Sequence, residues 1–301
     1  MVDQPPEIPA SLERRAMENI REIPALKTAA QPVIGREQAI ALDASLLEEQ
    51  PEPLIIPVEA GELENDSGFV RFLYHGAEWL FAAIIVLCAL PVMAIIALLV
   101  RRSSPGPVLF FHNRTARSVP VRGSELTPGE IARVVGEFDP ERLYWRPQTF
   151  PFVKFRTMYV DSGERFPTHY WWNYDISYEQ MRSMFYKTED DPRVTPFGRW
   201  LRKSSLDELP NFFHVLTGDA ALVGPRPESP QIAARYPTEA MRKFNVKPGL
   251  SCLSKVNGRG NLSVGDQIDW DIVYVRERTT LLDVRIVLKT IALVLFRHGA
   301  F

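Results

Sequence analysis

Asp207 and Glu208 stand side by side in a segment dense with fixed cations. The stretch DPRVTPFGRWLRKSSLDELPNFFHVLTGDAALVGPRP, from Asp191 to Pro227, surrounds them with Arg199, Arg202, Lys203 and Arg226. Cations of this kind bind a phosphate, and a carboxylate fixed among them is left to act on it. Thr195-Pro196 predicts an N-cap and a first helical residue. The helix Pro196–Lys203 then carries Arg199, Arg202 and Lys203 on one side, three and four residues apart; a solvated basic face is the plain alternative. Ser205 and Glu208 have the spacing of a capping box, which would make the two acids first-turn residues facing the helix dipole. Pro210 opposes this, because at the fifth helical position its missing N–H would already be needed. The helix is therefore expected to start at Pro210 and stop at Gly218, with Asp207 and Glu208 in the turn before its N-terminus, where free N–H groups favour an anion. Prolines on both sides of Arg226 present its guanidinium rigidly, suited to a diphosphate or, equally, to a structural carboxylate. The glycines do not have P-loop spacing.

These residues need a surface to work at, and the sequence supplies one upstream. Trp79–Val100 is a run of 22 uncharged residues, about 33 Å long as a helix and enough to cross the hydrocarbon core of a membrane. Pro91 interrupts it, so it reads either as a kinked spanning helix or as a helix that breaks and returns to the same face. Arg101, Arg102, Arg114 and Arg117 follow, which puts the C-terminal body on the cytoplasmic side. Short strands are expected within Ser103–Arg114 and at Phe150–Arg156, while residues 115–150 carry little pattern. Tyr170, Trp171, Trp172, Tyr174, Tyr178 and Tyr186 suit an interface, a core or a substrate wall. Asn257-Gly258 predicts a hairpin turn displaying Arg259. Leu281–Phe296 reads as an amphipathic helix carrying Asp283, Arg285 and Lys289.

The net charge of −2 hides an asymmetry. Residues 1–66 hold 5 basic and 14 acidic side chains, whereas the remainder holds 30 basic and 23 acidic. The body is basic and suits phosphates, nucleotides or lipid headgroups; without a nucleic-acid-binding motif, nucleic acid is not expected. The acidic, proline-rich segment 1–66 reads as a disordered tail, with Ala10–Ile23 its best helical piece. Cys88 and Cys252 lack metal-ligand spacing and a disulfide framework, in keeping with a reducing compartment. The first 30 residues lack the apolar core of a signal peptide.

Together SPGPVLFFHNR, KFRTM (Lys154–Met158), the Asp191–Pro227 segment, KPGL with VNGRG, and DIVYV…LLDVRIVLKT resemble the bacterial sugar transferases, the monotopic polyprenyl-phosphate phosphoglycosyl transferases. The resemblance covers most of residues 69–298. It implies an α-rich α+β fold: a membrane-embedded broken, re-entrant helix (67–102, broken at Pro91) and interfacial helices around a small cytoplasmic catalytic domain (103–301). It implies transfer of a phospho-sugar from a nucleotide diphosphate sugar, usually a UDP-sugar, to polyprenyl phosphate, with release of UMP. Asp207 would attack the β-phosphorus and form an aspartyl phospho-sugar, and Glu208 would assist. Mg²⁺ is the implied cofactor, with Asp207 as a ligand. Lys154, Arg156, Arg199, Arg202, Arg226 and Arg259 would bind substrate phosphate or nucleotide, with Asp283 a further functional acid. The implied location is the bacterial inner membrane, with the catalytic domain facing the cytoplasm, in exopolysaccharide or other glycan assembly. A homodimer or assembly partners on the tail stay open. Three features depart from the family: Leu90 precedes Pro91 where a serine is usual, Ser251–Lys255 differs from the usual sequence after KPGL, and the stretch between Arg114 and Lys154 is longer than in compact members. The alternatives are a catalytically silent scaffold of glycan assembly and a lipid-headgroup-binding module.

Overall fold

A computed structural model of the chain describes residues 52–59, 69–170, 176–185, 191–258 and 262–295. The apolar run lies in helix α1, Phe69–Ser103, which continues without interruption through Pro91. Its mean hydropathy reaches 3.1, and only 17% of its most apolar stretch is buried. That share is low for the core helix of a soluble domain, and the helix is long and apolar enough to cross a membrane. Ala82, Val86, Ile96 and Val100 face inward, whereas Leu80, Leu87 and Ile95 are exposed.

The inward stripe packs on the elements that carry the acidic pair. These are α2 (Pro196–Ser204), a 3-10 helix (Leu206–Asn211), α3 (Phe212–Thr217) and strand β6 (Ala221–Val223). Near the start of the run, the Trp79 Nε1–H donates to the Leu216 carbonyl at 3.3 Å and the Leu222 N–H donates to Glu78 Oε1 at 2.9 Å. Near its end, Ile96 and Val100 share a core with Phe155 and Leu201. One domain thus grips both ends of the run.

Among the described residues, three small sheets frame the domain. β2 (Leu109–Thr115) and β5 (Thr149–Phe155) form an antiparallel ribbon with Phe110 opposite Lys154. The Val153 N–H donates to His214 Nε2 at 3.1 Å and ties this ribbon to α3. β1 (Ile56–Pro57), β4 (Leu143–Arg146) and β3 (Val119–Arg122) form a second sheet in that spatial order. Strand alternation sends Ile55 and Tyr144 to one core cluster and Ile56 and Trp145 to another. β6 pairs in parallel with β7 (Gly249–Ser251). Beyond β7 come α4 (Leu253–Asn257), α5 (Val264–Glu277) and α6 (Thr280–Leu295). α6 buries Leu282 and Ile286 and exposes Leu281, Val284, Leu288, Ile291 and Val294, the amphipathic pattern expected.

Several expectations need correction. Residues 52–59, assigned by composition to the tail, belong to the folded body, with Ile55 and Ile56 fully buried; residues 1–51, including Ala10–Ile23, lie outside the described residues. The unpatterned 115–150 region contains β3, β4 and the start of β5. The helix does not begin at Pro210: Asp207 and Glu208 lie inside the preceding 3-10 helix, whose first turn is closed by Glu208 N–H donating to the Ser205 carbonyl at 3.3 Å. Ser205 makes no side-chain cap and takes the left-handed conformation, φ 57°. Asn257-Gly258 is the end of α4 and not a hairpin; the Gly258 N–H donates to the Ser254 carbonyl. Trp171, Trp172, Tyr174 and Tyr186 lie outside the described residues.

Candidate active site

The site is assembled where α2, the β2–β5 ribbon and the 3-10 helix meet. Thr195 caps α2 by accepting the Gly198 N–H at 2.9 Å. Gly198 allows the close approach that follows, since a Cβ there would stand 2.1 Å from the Thr157 carbonyl oxygen. This contact delivers Arg202, one turn along α2, to Thr157, and the Arg202 Nε–H donates to Thr157 Oγ1 at 3.0 Å. Arg202 also lies 3.9 Å from Asp191. Burial opposes the charge on Asp191, but hydrogen bonds from Arg193 outweigh it and hold the carboxyl below its ordinary range.

Asp207 is only 7% exposed. Its carboxylate acts on both Lys154, from β5, and Arg202, from α2. Burial lowers the pKa of the Lys154 ammonium to about 7, and the nearby charge of Arg202 adds to this; Asp207 and Glu208 oppose it. Lys154 is half-buried, and the Phe110 ring centroid lies 5.7 Å from its Nζ. Arg202 is shifted down mainly by burial, against the charge of Asp207. The second carboxylate has a different environment: Lys255 Nζ donates to Glu208 Oε2 at 2.6 Å and to the Leu250 carbonyl at 3.3 Å. Adjacent acids are therefore distinguished, one beside Lys154 and Arg202 and the other clamped by Lys255.

Arg226 follows β6 at the same strand ends from which Lys255 follows β7. Gly224 and Gly249 let the strands' ends nearly touch, with a Cβ on Gly249 falling 2.0 Å from Gly224 N. The Arg226 backbone N–H donates to Asp271 Oδ2 at 3.1 Å, and Lys243 Nζ donates to the same oxygen at 2.8 Å. Lys243 and Asp271 are 1% and 0% exposed, so a fully buried ion pair anchors the turn. Burial raises the Asp271 pKa against the pull of Lys243.

Of the residues singled out by sequence, the structure brings together Asp207, Glu208, Lys154 and Arg202. Arg199 lies on the exposed face of α2. Arg156 is directed elsewhere: it donates to Pro107 O at 2.6 Å, Ser104 Oγ at 2.7 Å and Ser104 O at 2.8 Å, fastening the loop that leaves α1. Asp283 accepts the Tyr274 hydroxyl at 2.7 Å and lines a cleft that includes neither Asp207 nor Glu208. Arg259 lies outside the described residues. Lys255 escaped the sequence-based selection; its only signal was a basic residue shortly after KPGL.

Among the described residues no group of three His, Cys, Asp or Glu side chains could hold a metal alone. Asp207 and Glu208 offer two carboxylates, the complement Mg²⁺ takes when substrate phosphates provide further ligands. The donor set fits a metal shared with a phosphate substrate.

The family described as bacterial sugar transferase matches residues 136–297. Over 246 residues the chain is 30% identical to the exopolysaccharide production protein ExoY of Sinorhizobium fredii, covering 82% of this chain and 94% of that protein. It is 32% identical to the undecaprenyl-phosphate galactose phosphotransferase of Salmonella typhimurium, over 77% of this chain and 42% of that protein. It is 37% identical to the galactosyl transferase CpsE of Streptococcus agalactiae, over 54% of this chain and 35% of that protein. The chain thus spans nearly all of ExoY but well under half of the other two.

Proposed function

The chain belongs to the bacterial sugar transferases, and from that membership we propose that it transfers a phospho-sugar from a nucleotide diphosphate sugar, a UDP-sugar in the first instance, to a polyprenyl phosphate. The observation that carries this reading is the unequal environment of the two acids, Asp207 beside Lys154 and Arg202, and Glu208 clamped by Lys255.

A carboxylate is a weak nucleophile, so position and surrounding cations matter more than basicity. Lys154 and Arg202 take up the charge of the donor diphosphate beside Asp207. An Asp207 oxygen forms a bond to the β-phosphorus while the bond to the bridging oxygen breaks, and UMP departs with that electron pair. The acceptor's phosphate oxygen then attacks the same phosphorus, the aspartyl bond breaks, and the Asp207 carboxylate is regenerated. Glu208, held by Lys255, orients the acceptor or receives its proton. Arg226 grips the nucleotide side from the anchored turn. Mg²⁺ held by Asp207, with Glu208 adjacent, would neutralise diphosphate oxygens when bound.

The acceptor is a lipid, so the site must lie at the membrane surface. The grip of one domain on both ends of the apolar run supports attachment to one face of the membrane, since a spanning helix would carry Glu78 and Val100 to opposite sides. α1 passes Pro91 without interruption, and Pro91 is where a re-entrant arrangement would need a bend. Arg101 and Arg102 at the end of α1 support a cytoplasmic domain at the inner membrane. The test is UMP release from a panel of UDP-sugars with polyprenyl phosphate and Mg²⁺. Wild type should release UMP and Asp207→Asn should not; equal activity in the two would exclude Asp207 as the nucleophile.

A further inference from the structure

Away from Asp207, a second cleft opens between the first turns of α1 and the corner joining α5 to α6. Tyr74, Arg117, Lys247, Tyr274, Arg278 and Asp283 line it, with His75 beside them. Three of these side chains are cations and one is a carboxylate. Asp283 is 6% exposed and accepts the Tyr274 hydroxyl, which also reaches the Val223 carbonyl at 3.4 Å. His75 is held by Glu78 at 2.7 Å. By count the lining is cationic, three to one. Close in sequence to the lining Tyr74 and Asp283, the two helices expose apolar residues: Leu73 of α1 is 53% exposed, and Leu281 and Val284 of α6 are 59% and 43% exposed. Those residues continue into the outward stripes of the two helices.

We propose that this cleft seats the phosphate of an anionic membrane lipid. The headgroup lies among Arg117, Lys247 and Arg278, and the acyl chains run against Leu73, Leu281 and Val284. Cations alone would take any phosphate; the exposed apolar residues of the two helices that carry Tyr74 and Asp283 favour one that carries hydrocarbon. Such a lipid adds a second point of attachment to the membrane, fixing how the domain is rotated about α1. The inference rests on α1 lying in lipid and is independent of the phosphoryl transfer.

The test uses the full chain and flotation with phosphatidylcholine vesicles, with and without phosphatidylglycerol. Lys247→Gln, Arg278→Gln and the double variant are compared with wild type and with Arg122→Gln, which removes an exposed charge outside the cleft. All proteins should bind phosphatidylcholine alike. The gain from phosphatidylglycerol should fall about fivefold for each cleft cation removed, and Arg122→Gln should keep it. Full retention of that gain in the double variant overturns the proposal. So does stabilisation of the detergent-solubilised wild type by glycerol phosphate equal to that by phosphatidylglycerol, which would assign the cleft to a soluble phosphate. Failure of wild type to bind any vesicle would instead refute the membrane reading of α1 on which the proposal stands.

Discussion

Lys154 gives the reaction a pH dependence that can be worked out in advance. Its ammonium sits with Arg202 close by and is short of water, which places its pKa at about 7 in the substrate-free protein. The protonated fraction of such a group falls from about 0.91 at pH 6 to about 0.09 at pH 8, roughly tenfold. If the charged form receives the donor diphosphate, the second-order rate constant with donor should fall by that factor across the interval. The rate at saturating donor should hold to higher pH, because a bound diphosphate favours the ammonium. The acceptor phosphate titrates near pH 6 itself and would confuse the profile, so it is left out. The assay is the burst of UMP per enzyme at sub-saturating UDP-sugar, followed from pH 6 to pH 9. Lys154→Arg keeps a charge that does not titrate in this range; its burst rate should show no alkaline limb near 7, whatever its absolute value. A flat wild-type profile, or a limb that survives in Lys154→Arg, would refute the assignment of that ammonium to the donor phosphates.

Three further perturbations follow from the same geometry. Glu208→Gln should retain a UMP burst with donor alone but turn over slowly with acceptor; complete loss of the burst would put Glu208 in the first half-reaction. Gly198→Ala drives a Cβ into the Thr157 carbonyl, and should cost about 1–3 kcal/mol in stability and displace Arg202, so a variant with wild-type melting and wild-type kcat/KM would contradict the close-approach argument. Asp271→Asn leaves the Lys243 charge buried without its partner, which should cost about 3–5 kcal/mol in denaturant unfolding. The apolar pair Lys243→Met with Asp271→Leu should recover much of that stability while KM for donor stays raised through the loosened Arg226 turn; an unchanged KM would confine Asp271 to a structural role.

The acidic pair and its cations were legible because their chemistry is local: Asp207, Glu208, Arg202 and the Thr195 cap fall within fourteen residues of chain, and Lys154 sits in a strand whose apolar pattern was visible. What escaped depends on partners distant in sequence. Ile55 and Ile56 lie in an acidic, proline-rich stretch, and averaging over it concealed two residues that become fully buried only against strands some 90 positions later. Arg156 has the same side chain as Arg202; only the return of the loop at Ser104 reveals that its guanidinium is occupied. Asn257-Gly258 has the dipeptide of a hairpin, but the tertiary packing of Leu253 and Val256 into the core makes the preceding residues helical.

The 3-10 helix explains why the nucleophile candidate and the membrane helix are so closely joined. A repeat of three residues per turn puts positions i and i+3 on one line. Leu206 and Leu209 occupy that line and pack with Ile96, Val100 and Leu201 in the core beneath α1. Asp207 and Glu208 fall between them, turned toward Lys154 and Arg202 on one side and Lys255 on the other. An α-helix started at Pro210 would have left this alternation to a loop. A single turn therefore divides its residues between α1 and the cations, so on the membrane reading the depth of α1 would set the height of Asp207. On the proposed function, a donor arriving from water and an acceptor held in the bilayer would reach the same carboxylate in succession.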